Sequence, residues 1–285
     1  MIENQLKIFL DNNFNDDEKF ALIRGNGLTA IMEKYYSVYP LRELANQMKN
    51  NNRVIDIVKQ GQMIRLFRDF NCNNVPVLYF KGEILQKMLY KDITLRPAGD
   101  IDIYVSPDRF DVALSVLYNN GFVFRYTDTL YNNHHVQYDK GHMKLELHRN
   151  LFNPFTHINE TYFFNHLVSY PYNDYDCFIF DETAMILHLF YHLYMDVILS
   201  NHVFVSNMKN NIDMATRFIF RSYEIAKCIF TFNTQIKWDE IVLDVMSQKL
   251  CSHFINMIRM IDFIFPNILP TDFLKAVYKK EYVTF

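Results

Sequence analysis

Hydrophobic positions change their period along the chain, and the changes mark out three regions. Up to residue 75 they recur at helical spacing. Phe20, Ile23, Leu28, Ile31 and Met32 form one run, in which Gly25-Asn26-Gly27 predicts a turn. Leu44, Met48, Ile55, Val58, Met63, Leu66 and Phe67 then fall on one side of a second run over 41–70. Asn50, Asn51, Asn52 and Gly61 predict an interruption there, because these residues are poor helix formers. Arg53, Lys59, Arg65 and Arg68 sit among the apolar positions, and a solvated helix face accounts for them better than a phosphate-binding surface does.

From 76 to 180 the period shortens to two. The pattern predicts a buried strand at 77–80, a Lys81-Gly82 turn into a helix, and a loop through Arg96, Pro97, Ala98 and Gly99. A strand follows in which Ile101, Ile103 and Val105 face the core while Asp100 and Asp102 share the other face. Ser106 before Pro107, with Gly121 at the far end, delimits a helix over 108–120. Strands are predicted at 122–126, 134–138 and 142–148, the last two joined by a turn at Asp139-Lys140-Gly141. In 142–148, Met143, Leu145 and Leu147 alternate with Lys144, Glu146 and His148. Segments 166–170 and 177–180 suggest a further hairpin. Beyond 181 the helical period returns at 182–199, 212–232, 238–246, 251–264 and around Leu274, with a polar break at 207–211. The expected architecture is α+β: a small mixed sheet with helices on one face (76–180), flanked by helical regions at 1–75 and 181–285.

Composition narrows the picture. At 285 residues and 50% hydrophobic the chain can bury a substantial core, much of it aromatic. A net charge of −3 argues against a surface built to coat nucleic acid. Cys72, Cys177, Cys228 and Cys251 are far apart and form no C-x-x-C, which reads as reduced thiols in a cytoplasmic protein. The N-terminal stretch is too acidic for a signal peptide. The most apolar segment, 184–199, carries His188, His192 and Asp196 and falls short of the ~20 residues that cross a bilayer.

Asp100 and Asp102 carry the candidate chemistry. Two carboxylates on one strand face repel each other, and a chain that keeps them side by side commonly holds a cation between them. D-x-D alone fits an ordinary half-exposed strand better than a metal site. Glu146 faces the same side from a neighbouring strand, with His148 two positions on. His188, His192 and Asp196, spaced i, i+4, i+8, lie on one helix face, but no glutamate follows His188 as in H-E-x-x-H, so packing or a polar seam explains them better than zinc. His134 and His135 carry no evident role.

The ordered set Lys81-Gly82, Arg96, Gly99-Asp100-x-Asp102 and Glu146-x-His148, spread over residues 52–242, resembles the uncharacterised nucleotidyltransferase family of the DNA-polymerase-β-like superfamily. The resemblance implies Mg²⁺- or Mn²⁺-dependent transfer of a nucleoside monophosphate from an NTP to an acceptor hydroxyl, with pyrophosphate released. Asp100, Asp102 and Glu146 would hold two ions, and Glu146 would take the acceptor's proton. Lys81, Gly82, Arg96 and His148 would contact the nucleotide or support the carboxylates. Glu83 departs from the wider superfamily, where Ser or Gly follows the turn glycine, and 18 positions separate Gly82 from Asp100. These departures favour the alternative of an inactive nucleotide- or partner-binding module. The acceptor, whether small molecule, protein or RNA, the preferred base and the oligomeric state have no readable code.

Overall fold

A computed structural model of the chain describes residues 1–24, 27–36, 39–96, 99–127, 134–156, 158–199, 212–248 and 252–281. Part of the expected turn at 25–27, part of the loop after Arg96, the polar break at 207–211 and Cys251 lie outside them.

Helices α1 (Ile2–Asn13), α2 (Asp16–Arg24), α3 (Thr29–Met32) and α4 (Tyr39–Cys72) lead into strand β1 (Leu78–Phe80). Then come α5 (Gly82–Leu89), β2 (Ile101–Tyr104), α6 (Phe110–Asn119), and strands β3 (Val123–Thr127), β4 (His135–Lys140) and β5 (Met143–His148). A short helix α7 (Thr161–Phe164) precedes β6 (Leu167–Tyr172) and β7 (Tyr175–Phe180). The remaining helices are α8 (Glu182–Leu199), α9 (Ile212–Phe232), α10 (Trp238–Ser247), α11 (Ser252–Ile264) and α12 (Thr271–Glu281). The chain divides into two compact units, one of residues 1–49 and 182–285, the other of 50–181.

The unit of residues 50–181 contains a seven-stranded mixed sheet in the order β3-β4-β5-β2-β1-β7-β6. The pairs β1–β7 and β2–β5 are parallel and the others antiparallel. β1 is buried at every position, as expected of a central strand covered on both sides. In β2 and the residue after it, Ile101, Ile103 and Val105 are fully buried, and in β5 Met143, Leu145 and Leu147 keep the alternation read from the sequence. The segments 166–170 and 177–180 do pair, as the hairpin β6–β7. Ser106 and Pro107 open a short 3₁₀ turn over Pro107–Arg109 in place of the expected α-helical start, and the Ser106 side chain makes no capping bond. Helix α6 ends at Asn119 and is capped by Asn120, with Gly121 beyond it at a φ of +76°.

Helix α4 differs from its reading in two ways. It runs unbroken for 34 residues through Asn50, Asn51, Asn52 and Gly61. The propensity deficit of each is under about 1 kcal/mol, which tertiary contacts readily offset. Its buried stripe is also rotated from the apolar count: Asp56, Lys59, Met63, Leu66, Phe67 and Phe70 face inward, while Ile55 and Val58 are exposed. Lys59, expected on a solvated face, is buried because its ammonium donates to the Gly99 carbonyl at 2.6 Å. Arg53, Arg65 and Arg68 do face solvent.

In the unit of residues 1–49 and 182–285, Tyr191, Tyr223, Phe190 and Phe254 are among the largest wholly buried side chains. Glu3 of α1 is held by Lys227 and Tyr223 of α9, each 3.0 Å away. No described helix is long and apolar enough to cross a membrane.

Candidate active site

Strand register assembles the site. Phe80 on β1, Asp102 on β2, Glu146 on β5 and Gln137 on β4 are successive partners across four strands. Two residues along, Leu78, Tyr104, His148 and His135 form the next row on the same face. Paired residues share a sheet face, so Asp102, Glu146, His148 and His135 lie together on one side.

His148 joins the carboxylates. Its Nε2 lies 3.2 Å from Asp102 Oδ1 and 3.4 Å from Glu146 Oε2, and the ring is 1% exposed. Lys81 Nζ approaches the same Asp102 Oδ1 at 3.3 Å, and His135 Nε2 stands 3.7 Å from Glu146 Oε1. Burial alone would push the Asp102 carboxyl up, but Lys81 and His148 more than offset it and hold it well below the usual carboxylate range. Burial and the nearby Asp102 charge raise Glu146, but the His148 hydrogen bond together with the charges of His148 and His135 leaves it lowered. Burial lowers His148, yet the bonds to Asp102 and Glu146 leave it raised.

Asp100 stands apart from these. β2 begins at Ile101, so Asp100 occupies a bend just before the strand and is exposed, where the alternation had placed it on the strand beside Asp102. Its carboxyl is raised, by partial loss of water and then by the negative charges of Glu146 and Asp102. Asp102, Glu146 and His148 each offer a ligand atom within 4.8 Å of the others, and Asp100 lies outside that group. The carboxylate oxygens of Asp102 and Glu146, with Asp100 repelled by both, are hard donors of the kind that fit Mg²⁺ or Mn²⁺.

The turn from β1 into α5 is built for close approach. Lys81 adopts φ +62° and Gly82 φ +37°. A Cβ at Gly82 would sit 2.8 Å from the Asp100 carbonyl oxygen, so the glycine lets the two chain segments touch. Arg96, 7% exposed, donates from Nη1 to the Gly82 carbonyl at 2.8 Å and ties the loop after α5 back to the turn. Glu83 is wholly buried. It accepts from Tyr79 Oη at 2.7 Å and Tyr172 Oη at 2.6 Å, and pairs with Lys87 Nζ at 2.6 Å. Both tyrosine hydroxyls are pushed up, by burial first and then by the Glu83 charge. The departure at Glu83 is therefore a bracing carboxylate beneath the turn.

His188, His192 and Asp196 do face one side of α8, but Arg221 of α9 hydrogen-bonds His192 and pairs with Asp196, which places a cation at the seam. His134 and His135, left without a role, do gather with His148: the three ring centroids are 5.0–5.4 Å apart. Burial, then the positive charge of His148, His135 and Lys81, brings His134 down to about 3. Only the β4–β5 register, which sets His135 opposite His148, could have signalled this.

No curated protein matches the sequence significantly. Among solved structures, the antibiotic-resistance factor ANT(2'')-Ia is similar over 63% of this chain and 94% of its own, at 10% identity and a TM-score of 0.38. A nucleotidyltransferase-like protein from Paracoccidioides brasiliensis is similar over 73% of this chain and 96% of its own, at 11% identity and a TM-score of 0.33. At those scores neither fixes a substrate for this chain. The family model described as an uncharacterised nucleotidyltransferase matches residues 28–265, a span that takes in the Lys81-Gly82 turn, Asp100, Asp102, Glu146 and His148, and the chain belongs to that family.

Proposed function

We propose that the chain transfers a nucleoside monophosphate from an NTP to an acceptor hydroxyl, with Asp100, Asp102 and Glu146 as the carboxylates that would hold Mg²⁺ or Mn²⁺. The acceptor oxygen attacks the α-phosphorus, the bond to the β-phosphate oxygen breaks, and pyrophosphate leaves with those electrons. The observation that carries the reading is the pairing of Asp102 with Glu146 across β2 and β5, with Asp100 charged against both. Divalent ions held there would supply charge neutralisation of the polyphosphate and acidify the acceptor hydroxyl.

The remaining roles fall to the chain's own groups. His148, pinned between Asp102 and Glu146, fixes both carboxylates in one orientation. Lys81 balances Asp102 when no substrate is present, and its ammonium is placed to turn to a phosphate oxygen. Glu146 accepts the acceptor's proton as the new bond forms. Arg96 and Glu83 act on the Lys81-Gly82 turn from behind, keeping its backbone at the nucleotide side of the cluster.

The test is pyrophosphate release with each of the four NTPs against a panel of hydroxyl acceptors, in Mg²⁺ and in Mn²⁺. Asp102→Asn and Asp100→Asn, both folded by circular dichroism, should each lose at least a hundredfold in turnover. Undiminished turnover in either variant overturns the reading. Calorimetric NTP binding with no pyrophosphate from any acceptor would instead favour a binding module of the same fold.

A further inference from the structure

Apart from the carboxylate cluster, the described residues hold one other group of side chains able to share a metal ion. His134 and His135 stand together at the start of β4, and the β4–β5 pairing sets His135 opposite His148. The Arg149 amide donates to the His134 carbonyl at 3.0 Å and brings that residue alongside as well. One ring nitrogen from each of the three lies within 4.8 Å of the others. His134 Nδ1 and His135 Nδ1 are 3.4 Å apart.

Two further observations point to a ligand. His148 Nδ1 and His134 Nε2 are shut off from water and have no hydrogen-bond partner among the described residues. A buried ring nitrogen without a partner costs about 1–3 kcal/mol, which a bound ion would recover. The other nitrogen of His148, Nε2, is held by Asp102 and Glu146. That is the arrangement of a metal-ligating histidine whose far nitrogen is fixed by a carboxylate.

We propose that His134, His135 and His148 form a binding site for a borderline-soft divalent metal of the zinc class, beside the hard-cation carboxylates and chemically distinct from them. Imidazole nitrogens select zinc-class ions, whereas Mg²⁺ and Mn²⁺ seek carboxylate oxygen. Zinc at ~2.1 Å from each nitrogen brings ligand atoms to about 3.4 Å from one another, so a small rotation of the rings completes the site. Three protein nitrogens leave a fourth position, and Glu146 Oε1 stands 3.7 Å from His135 Nε2. An ion here would lock His148 and, through it, the Asp102–Glu146 pair. The site does not depend on transfer activity: a chain that transfers nothing would still bind the ion.

The experiment uses the full chain stripped of metal, then titrated with Zn²⁺ against a chromogenic chelator in millimolar Mg²⁺, which keeps the carboxylates occupied. X-ray absorption at the zinc edge then reports the ligands. One zinc per chain with three imidazoles in its shell is expected, and His134→Gln and His135→Gln should each weaken binding by at least tenfold. Asp100→Asn, which touches none of the three rings, should leave zinc affinity unchanged. Absence of stoichiometric zinc, an oxygen-only shell, or wild-type affinity in the His134→Gln/His135→Gln double variant would overturn the proposal. Should the variants fail to fold, the ligand count on the wild-type chain decides it alone.

Discussion

Replacing Gly82 with alanine is the sharpest probe of how the turn positions Asp100. The new Cβ would lie 2.8 Å from the Asp100 carbonyl oxygen, a backbone atom that cannot rotate away. Relief requires the two segments to separate by about half an ångström. The left-handed φ of +37° adds ~1 kcal/mol for an L-residue, and forced separation of packed segments adds ~1–3 kcal/mol. Gly82→Ala should therefore lose about 2–4 kcal/mol in urea denaturation. Because Asp100 moves with its carbonyl, Mn²⁺ binding followed by electron paramagnetic resonance should weaken by about tenfold, in keeping with the sensitivity of such sites to sub-ångström displacement. Gly61→Ala is the control: it lies in α4 with nothing within 4 Å of a Cβ, and should gain up to ~1 kcal/mol. If Gly82→Ala denatures within about 0.5 kcal/mol of wild type, the close approach does not exist and the account of the turn fails.

Glu83→Ala strands two tyrosine hydroxyls and the Lys87 ammonium, and should cost about 3 kcal/mol by urea denaturation, while Glu83→Gln keeps an acceptor and should cost less. Glu3 tests linkage away from the site. Burial raises its carboxyl, but Lys227 and Tyr223 bring it down to about 2 from 4.5. Its contribution, at most ~3 kcal/mol, is thus complete above pH 4.5 and is lost as pH falls towards 2. Glu3→Gln should flatten that part of the stability profile, and an unchanged slope between pH 5 and 3 would refute the assignment. Saturating Mn²⁺ with NTP should raise the melting temperature of the wild-type chain and raise that of Asp100→Asn by markedly less, as read by calorimetry.

Alternation along 101–105 and 142–148 was enough to locate the sheet and to set Asp102 and Glu146 on one face, because strand period is a local property. What local pattern could not supply was phase and end-point. Ile101 is where pairing with Leu145 begins, and that long-range contact leaves Asp100 outside the strand. In α4 the apolar count pointed at Ile55 and Val58, yet the inward face carries Asp56 and Lys59, since Gly99 offers the lysine a carbonyl from 40 positions away. The three histidines were invisible for a similar reason: His148 meets His134 and His135 only through the β4–β5 register.

The brace beneath the turn also constrains how this chain can diverge. Glu83 draws on Tyr79 from the preceding strand and on Tyr172 from β6, 89 positions away, so none of the three can drift alone without orphaning the others. Relatives that keep the acid should keep both phenols, and those that carry serine or glycine there should have surrendered them together. An alignment would then display a three-way correlated substitution linking the motif to a distant edge hairpin, inherited as a block.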